Sequence, residues 1–122
     1  MKFPKLLLAA GLASALAGCA LTEDRIDVVH NAPPGVSRIS GAEARPVNVV
    51  VADARTLDHA SVGNKINAYG EEMAAIRIDR DVSDIVKEAV MRELAARGYP
   101  QTPDGRQVHV QIDKFYASFT AG

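Results

Sequence analysis

Val47-Asn48-Val49-Val50-Val51-Ala52 is the stretch on which the fold turns. It is β-branched and almost wholly apolar. Such a run reads as a strand buried on both faces. It leads into Asp53-Ala54-Arg55. Asp53 and Arg55 are two apart, so they project to the same side if the strand continues. Two readings stay open for them. One is a local ion pair or turn device at the strand end; the other is a corner of a binding surface.

Downstream, residues 56–73 are polar, with Gly63, Asn64 and Gly70, and read as a long loop. Loops beyond about 12–15 residues are uncommon and often functional. Ala74-Ala75-Ile76-Arg77-Ile78-Asp79 then alternates as a half-exposed strand, with Ala74, Ile76 and Ile78 inward. Residues 82–97 carry the best helix. Val82, Ile85, Val86, Ala89, Val90 and Leu94 recur on one stripe. Asp81 suits the N-cap, Glu88–Arg92 and Glu93–Arg97 are favourable i,i+4 pairs, and Gly98 suits the left-handed position past the end. Val108-His109-Val110-Gln111-Ile112-Asp113 alternates strictly, with Phe115, Tyr116 and Phe119 extending the strand after a phase slip near Lys114.

Upstream, residues 19–46 read as a tether with one short strand, Arg25-Ile26-Asp27-Val28-Val29-His30, stopped by Pro33-Pro34-Gly35. The predicted domain is residues 47–122. Its expected class is α+β: a small two-layer unit of three to four strands with one main helix packed on one face.

Residues 1–18 form the third part. Lys2 and Lys5 make a basic tip, and the run from Leu6 to Gly18 has no charge. This is the layout of a secretory signal peptide. The run is too short for a membrane span, which takes about 20 apolar residues. Leu16-Ala17-Gly18-Cys19 resembles the lipobox of bacterial lipoproteins. The resemblance implies cleavage between Gly18 and Cys19 and acylation of Cys19 by chains of the palmitate class. Thiolate chemistry suits the thioether that such a link needs. Burying an acyl chain contributes about 0.8 kcal/mol per CH₂, so two or three chains anchor firmly. Ala20 replaces the Asp that tends to retain such proteins at the inner membrane. The expected location is therefore the outer membrane, lipid-anchored and facing the periplasm.

The 122-residue chain has room for one modest domain, and its formal net charge is −1. Both leader charges are lysines, so the remainder is more acidic still. No basic patch stands out, and nucleic acid is not an expected partner. Cys19 is the single cysteine, so no internal disulfide can form.

Taken in order, the lipobox, Ala52-Asp53-Ala54-Arg55, Ala95-Ala96-Arg97-Gly98-Tyr99 and Val108-His109-Val110-Gln111-Ile112 resemble the YajG-type family of uncharacterised bacterial lipoproteins. That family has no agreed catalytic residues, so none carry over. Its members continue with further strands and a helix. The resemblance thus makes this chain either a short member or a truncated reading frame, an incomplete version of a larger α/β sandwich. A last strand rich in Phe and Tyr would then be an exposed edge, and self-association through it is expected.

Catalytic signatures are missing from the sequence. His30, His59 and His109 are scattered and match no metal motif. Ser61 lies in no Gly-x-Ser-x-Gly setting, and Gly63-Asn64-Lys65 is no phosphate loop. We expect no enzyme and no cofactor. The expected role is a non-enzymatic binding or scaffold component of the cell envelope with a protein partner. The alternative is an auxiliary lipoprotein subunit of an envelope lipid or solute transport system, which would need an apolar groove between helix and sheet.

Overall fold

A computed structural model describes residues 21–120. Its elements are β1 (Asp24–Arg25), a 3₁₀ turn (Ala42–Ala44), β2 (Val47–Asp53), β3 (Ser61–Ile66), β4 (Glu72–Arg77), α1 (Val82–Ala96), β5 (Arg106–Ile112) and β6 (Ala117–Thr120). The class is α+β. The strands divide between two sheets, one ordered β1-β4-β3-β6 and a smaller parallel pair β2-β5.

The β2-β5 pair runs in unbroken register from Val47 opposite Arg106 to Asp53 opposite Ile112. Val47 and Val49 are buried, but Val50 on the other face is 38% exposed. β2 is therefore buried on one face only, a correction to the two-sided expectation. The reason is topological: α1 covers one side of this pair, and Val50 stands opposite His109 on the other.

α1 begins and ends close to where its signals lie. Asp81 has the extended backbone of an N-cap, although its side chain makes no capping bond. Its carbonyl accepts from the Asp84 and Ile85 amides instead. At the other end the Gly98 amide donates to Ala95 O and the Tyr99 amide to Leu94 O. With Gly98 at φ 101° this is a Schellman stop. The expected i,i+4 pairs do not form. Glu88 meets Arg80 at 2.9 Å and Glu93 meets His30 at 2.9 Å. Partners from outside the helix outcompete pairs worth only about 0.2–0.5 kcal/mol.

The expected loop at 56–73 is also corrected. It holds β3 and the turn into β4, which pair antiparallel. β3 is flanked on its other side by β6, in parallel. Gly63 is what permits this, because a Cβ there would overlap the Ala117 carbonyl oxygen. The register also shifts between Ser61 and Gly63. The last strand run breaks after Ile112 and resumes as β6, close to the phase slip at Lys114.

The core gathers both sheets and the start of the helix. Val62, Ile76, Ile78, Val82, Ile85 and Ile112 form one buried cluster, with Val28, Val51 and Phe115 packed against it. Val28 belongs to the expected tether. That segment is tied along much of its length. Its strand is Asp24–Arg25 rather than 25–30, and it pairs parallel with β4. Lys65 reaches Asp24 at 2.9 Å, Arg25 reaches Asp79 at 2.7 Å, and Arg92 donates to the His30 carbonyl at 2.8 Å.

Candidate functional site

At the end of β2 the backbone sets Asp53 and Arg55 side by side. The Arg55 guanidinium meets the carboxylate in a fork, Nε to Oδ1 at 2.8 Å and Nη2 to Oδ2 at 2.7 Å. The Arg55 amide also donates to Oδ1 at 3.2 Å. The two side chains are only 3% and 2% exposed.

The remaining guanidinium donors go to three carbonyls from two other segments. Nη2 reaches His59 O at 3.0 Å, while Nη1 reaches Ser61 O at 2.7 Å and Phe115 O at 3.3 Å. A guanidinium has five N–H donors. Here all five have acceptors, so none is left for a ligand. The pair clasps the end of β2, the entry to β3 and the link from β5 to β6.

The charges tune each other. Hydrogen bonds from Arg55 hold the Asp53 carboxyl below its ordinary range, against the opposing push of burial. The same bonds raise the Arg55 guanidinium. His59 Nδ1 stands 3.5 Å from Asp53 Oδ2 and adds a smaller pull in the same direction when protonated.

Beside the clasp lies an open cleft of about 550 Å³ between the 55–58 segment, the β3-β4 hairpin and the 113–116 segment. Arg77 crosses one wall to Asp58 at 2.7 Å. Lys114, Asp113 and Tyr116 form the other side. Its charges are mixed in sign, which suits a solvated surface better than selection of one ion.

The three histidines stay apart. His30 pairs with Glu93, His59 stands near Asp53, and His109 is exposed on β5. Among the described residues, no group of three or more His, Cys, Asp or Glu could hold a metal ion. No described helix is long and apolar enough to cross a membrane. Gly18 and Cys19, the expected processing and lipidation residues, lie outside the described residues.

Sequence reasoning missed His59, Ser61 and Phe115 as partners of Arg55. They act through main-chain carbonyls, which carry no side-chain signature. The spacing of Asp53 and Arg55 was the one available signal.

Fold and site together define a small α+β domain in which the Asp53-Arg55 cluster faces inward and is saturated. A family model described as "Uncharacterized lipoprotein" matches residues 34–122. The chain belongs to this YajG-type lipoprotein family. No curated protein and no solved structure matches the chain.

Proposed function

We propose that the chain is anchored through acylated Cys19 to the outer membrane, faces the periplasm, and serves as a non-enzymatic binding or scaffold component of the envelope. Family membership and the Leu16-Ala17-Gly18-Cys19 stretch support the anchor. The observation that carries the non-enzymatic reading is the Asp53-Arg55 clasp. Its charges are buried and every guanidinium donor is occupied. A catalytic arginine would keep donors for the substrate.

A scaffold needs a surface to offer. β6 forms one edge of the four-stranded sheet, and such an edge presents main-chain donors and acceptors to a partner strand or a second copy. The transport alternative needs a roomy apolar groove between helix and sheet. The recess where Met91 and Lys87 of α1 face Val47 and Val49 measures about 250 Å³ and includes Gln101 and Thr102. Ligand pockets run from about 300 to 1,000 Å³ and are mostly apolar. This recess falls below that range. The larger apolar groove of about 430 Å³ beside Ile26, Val28, Val62 and Phe115 has no residue of α1 in its wall, which favours the scaffold over a helix–sheet groove.

Affinity capture of the full-length protein from solubilised membranes tests this. A stoichiometric protein partner is expected. Co-purified lipid without a protein partner would favour the transport subunit and overturn the scaffold.

A further inference from the structure

The tie between the N-terminal segment and the body decides which end of the domain lies nearest the anchor. The Thr22 carbonyl accepts from Lys65 Nζ at 3.0 Å. β1 follows at once, in register with β4 at Asp24 opposite Ile76. Only three residue steps separate Cys19 from Thr22. At the full extension of a chain that is about 11 Å. An acyl anchor on Cys19 therefore holds the approach to β1 close to the bilayer surface.

β1 pairs only with the last two residues of β4, Ile76 and Arg77, and runs parallel to it, so the chain approaches β1 from the direction of the end where β4 starts. That end carries the β3-β4 turn, and the turn is firmly built. Asn67 Oδ1 accepts from the Tyr69 amide at 3.0 Å and the Glu71 amide at 2.9 Å. Asn67 Nδ2 donates to Glu71 Oε2 at 2.9 Å, and the Gly70 amide donates to Asn67 O at 3.0 Å. Gly70, at φ 83°, supplies the left-handed step. At the apex this turn holds Tyr69 outward, 90% exposed, and Leu21 at the chain's entry is 62% exposed. An ordered turn that spends its hydrogen bonds presenting an aromatic ring to solvent invites an amphipathic neighbour.

We propose that the β3-β4 turn is a membrane-contacting tip, with Tyr69 seated among the phospholipid headgroups of the bilayer that holds Cys19. The proposal rests on the lipidation of Cys19. Tyrosine favours this layer because its ring is apolar and its hydroxyl stays wet. Glu71 and Glu72 follow the apex, so the chemistry fits zwitterionic headgroups rather than an anionic surface.

The chain contains no tryptophan, which makes a single-reporter test direct. Tyr69→Trp is compared with Tyr116→Trp. Tyr116 is also exposed, and it precedes β6, which runs parallel to β3, so it marks the opposite end of the sheet. Each full-length variant is reconstituted in vesicles of phosphatidylcholine brominated near the top of its acyl chains. The indole emission of Tyr69→Trp should shift to the blue and be quenched several-fold more than that of Tyr116→Trp. The mass of the N-terminal peptide is read from the same samples. If the protein is acylated and Tyr69→Trp is unquenched, or quenched no more than Tyr116→Trp, the tip is overturned and the anchor stands. Protein without acyl mass removes the anchor and the tip together.

Discussion

Asp53 and Arg55 are two residues apart, yet both charges are buried and share two contacts of 2.7 and 2.8 Å. Burying such a pair costs much of what its attraction returns, while removing one partner strands the other. The clasp is therefore a point at which three segments fail together. Arg55→Met should destabilise the protein by about 3–5 kcal/mol, the range for breaking a buried pair. Asp53→Asn/Arg55→Met should cost clearly less than the two single changes added together. Urea unfolding of the four proteins checks both figures. Near-additive losses would mean that the two side chains do not act as one unit.

The same pair sets an acid limit. Asp53 is held below its ordinary pKa, chiefly by its hydrogen bonds from Arg55. A depressed carboxyl contributes stability that is fully present above its unfolded value, about 3.9, and is lost as pH falls through the folded value. Stability should therefore fall on acidification below about pH 4. Asp53→Asn should flatten that limb while lowering the plateau above it. Unfolding free energy measured across the acid range gives the comparison. An unchanged slope in the variant would contradict the assignment.

Gly63 is a steric requirement of the β3-β6 pairing, since an added Cβ overlaps the Ala117 carbonyl oxygen. Gly63→Ala should cost about 1–3 kcal/mol, as overpacking does. Amide exchange at residues 117–120 should rise first, because β6 is an edge strand held to the sheet through β3. Equal protection of β6 in both proteins would argue against that close approach.

His30 and Glu93 strap the N-terminal segment to α1 at 2.9 Å. This pair is partly exposed, so its worth is about 0.2–1 kcal/mol. Glu93→Ala should leave the global melting temperature nearly unchanged and raise amide exchange locally at residues 28–31. A large drop in melting temperature would point to a core role that the geometry does not give it.

Much of this architecture was legible in the residues. α1 declared itself through its stripe from Val82 to Leu94 and its stop at Gly98. β2 and β5 did so through β-branched runs, because both press one face on the core. β3 did not, because only Val62 and Gly63 of its six residues are buried and Gly63 is present for clearance rather than packing. Its strand state comes from neighbours on both sides, which no local pattern encodes. The strapping of residues 22–30 was hidden for a related reason. Lys65–Asp24, Arg25–Asp79 and His30–Glu93 join positions far apart in the chain. At the clasp the Asp53-Arg55 spacing was readable, whereas the carbonyls of His59, Ser61 and Phe115 were not. A deletion of 56–73 would remove β3 and the start of β4, and so disrupt the fold rather than a loop.

The anchor is the claim on which location, membrane tip and scaffold role all depend. Its most direct measurement is labelling of growing cells with a fatty-acid probe, followed by capture of the wild-type protein and of Cys19→Ser. Wild type should carry the label on its N-terminal peptide and begin at Cys19. Cys19→Ser should be unlabelled and keep residues 1–18. Label retained by Cys19→Ser, or missing from wild type, would contradict the account.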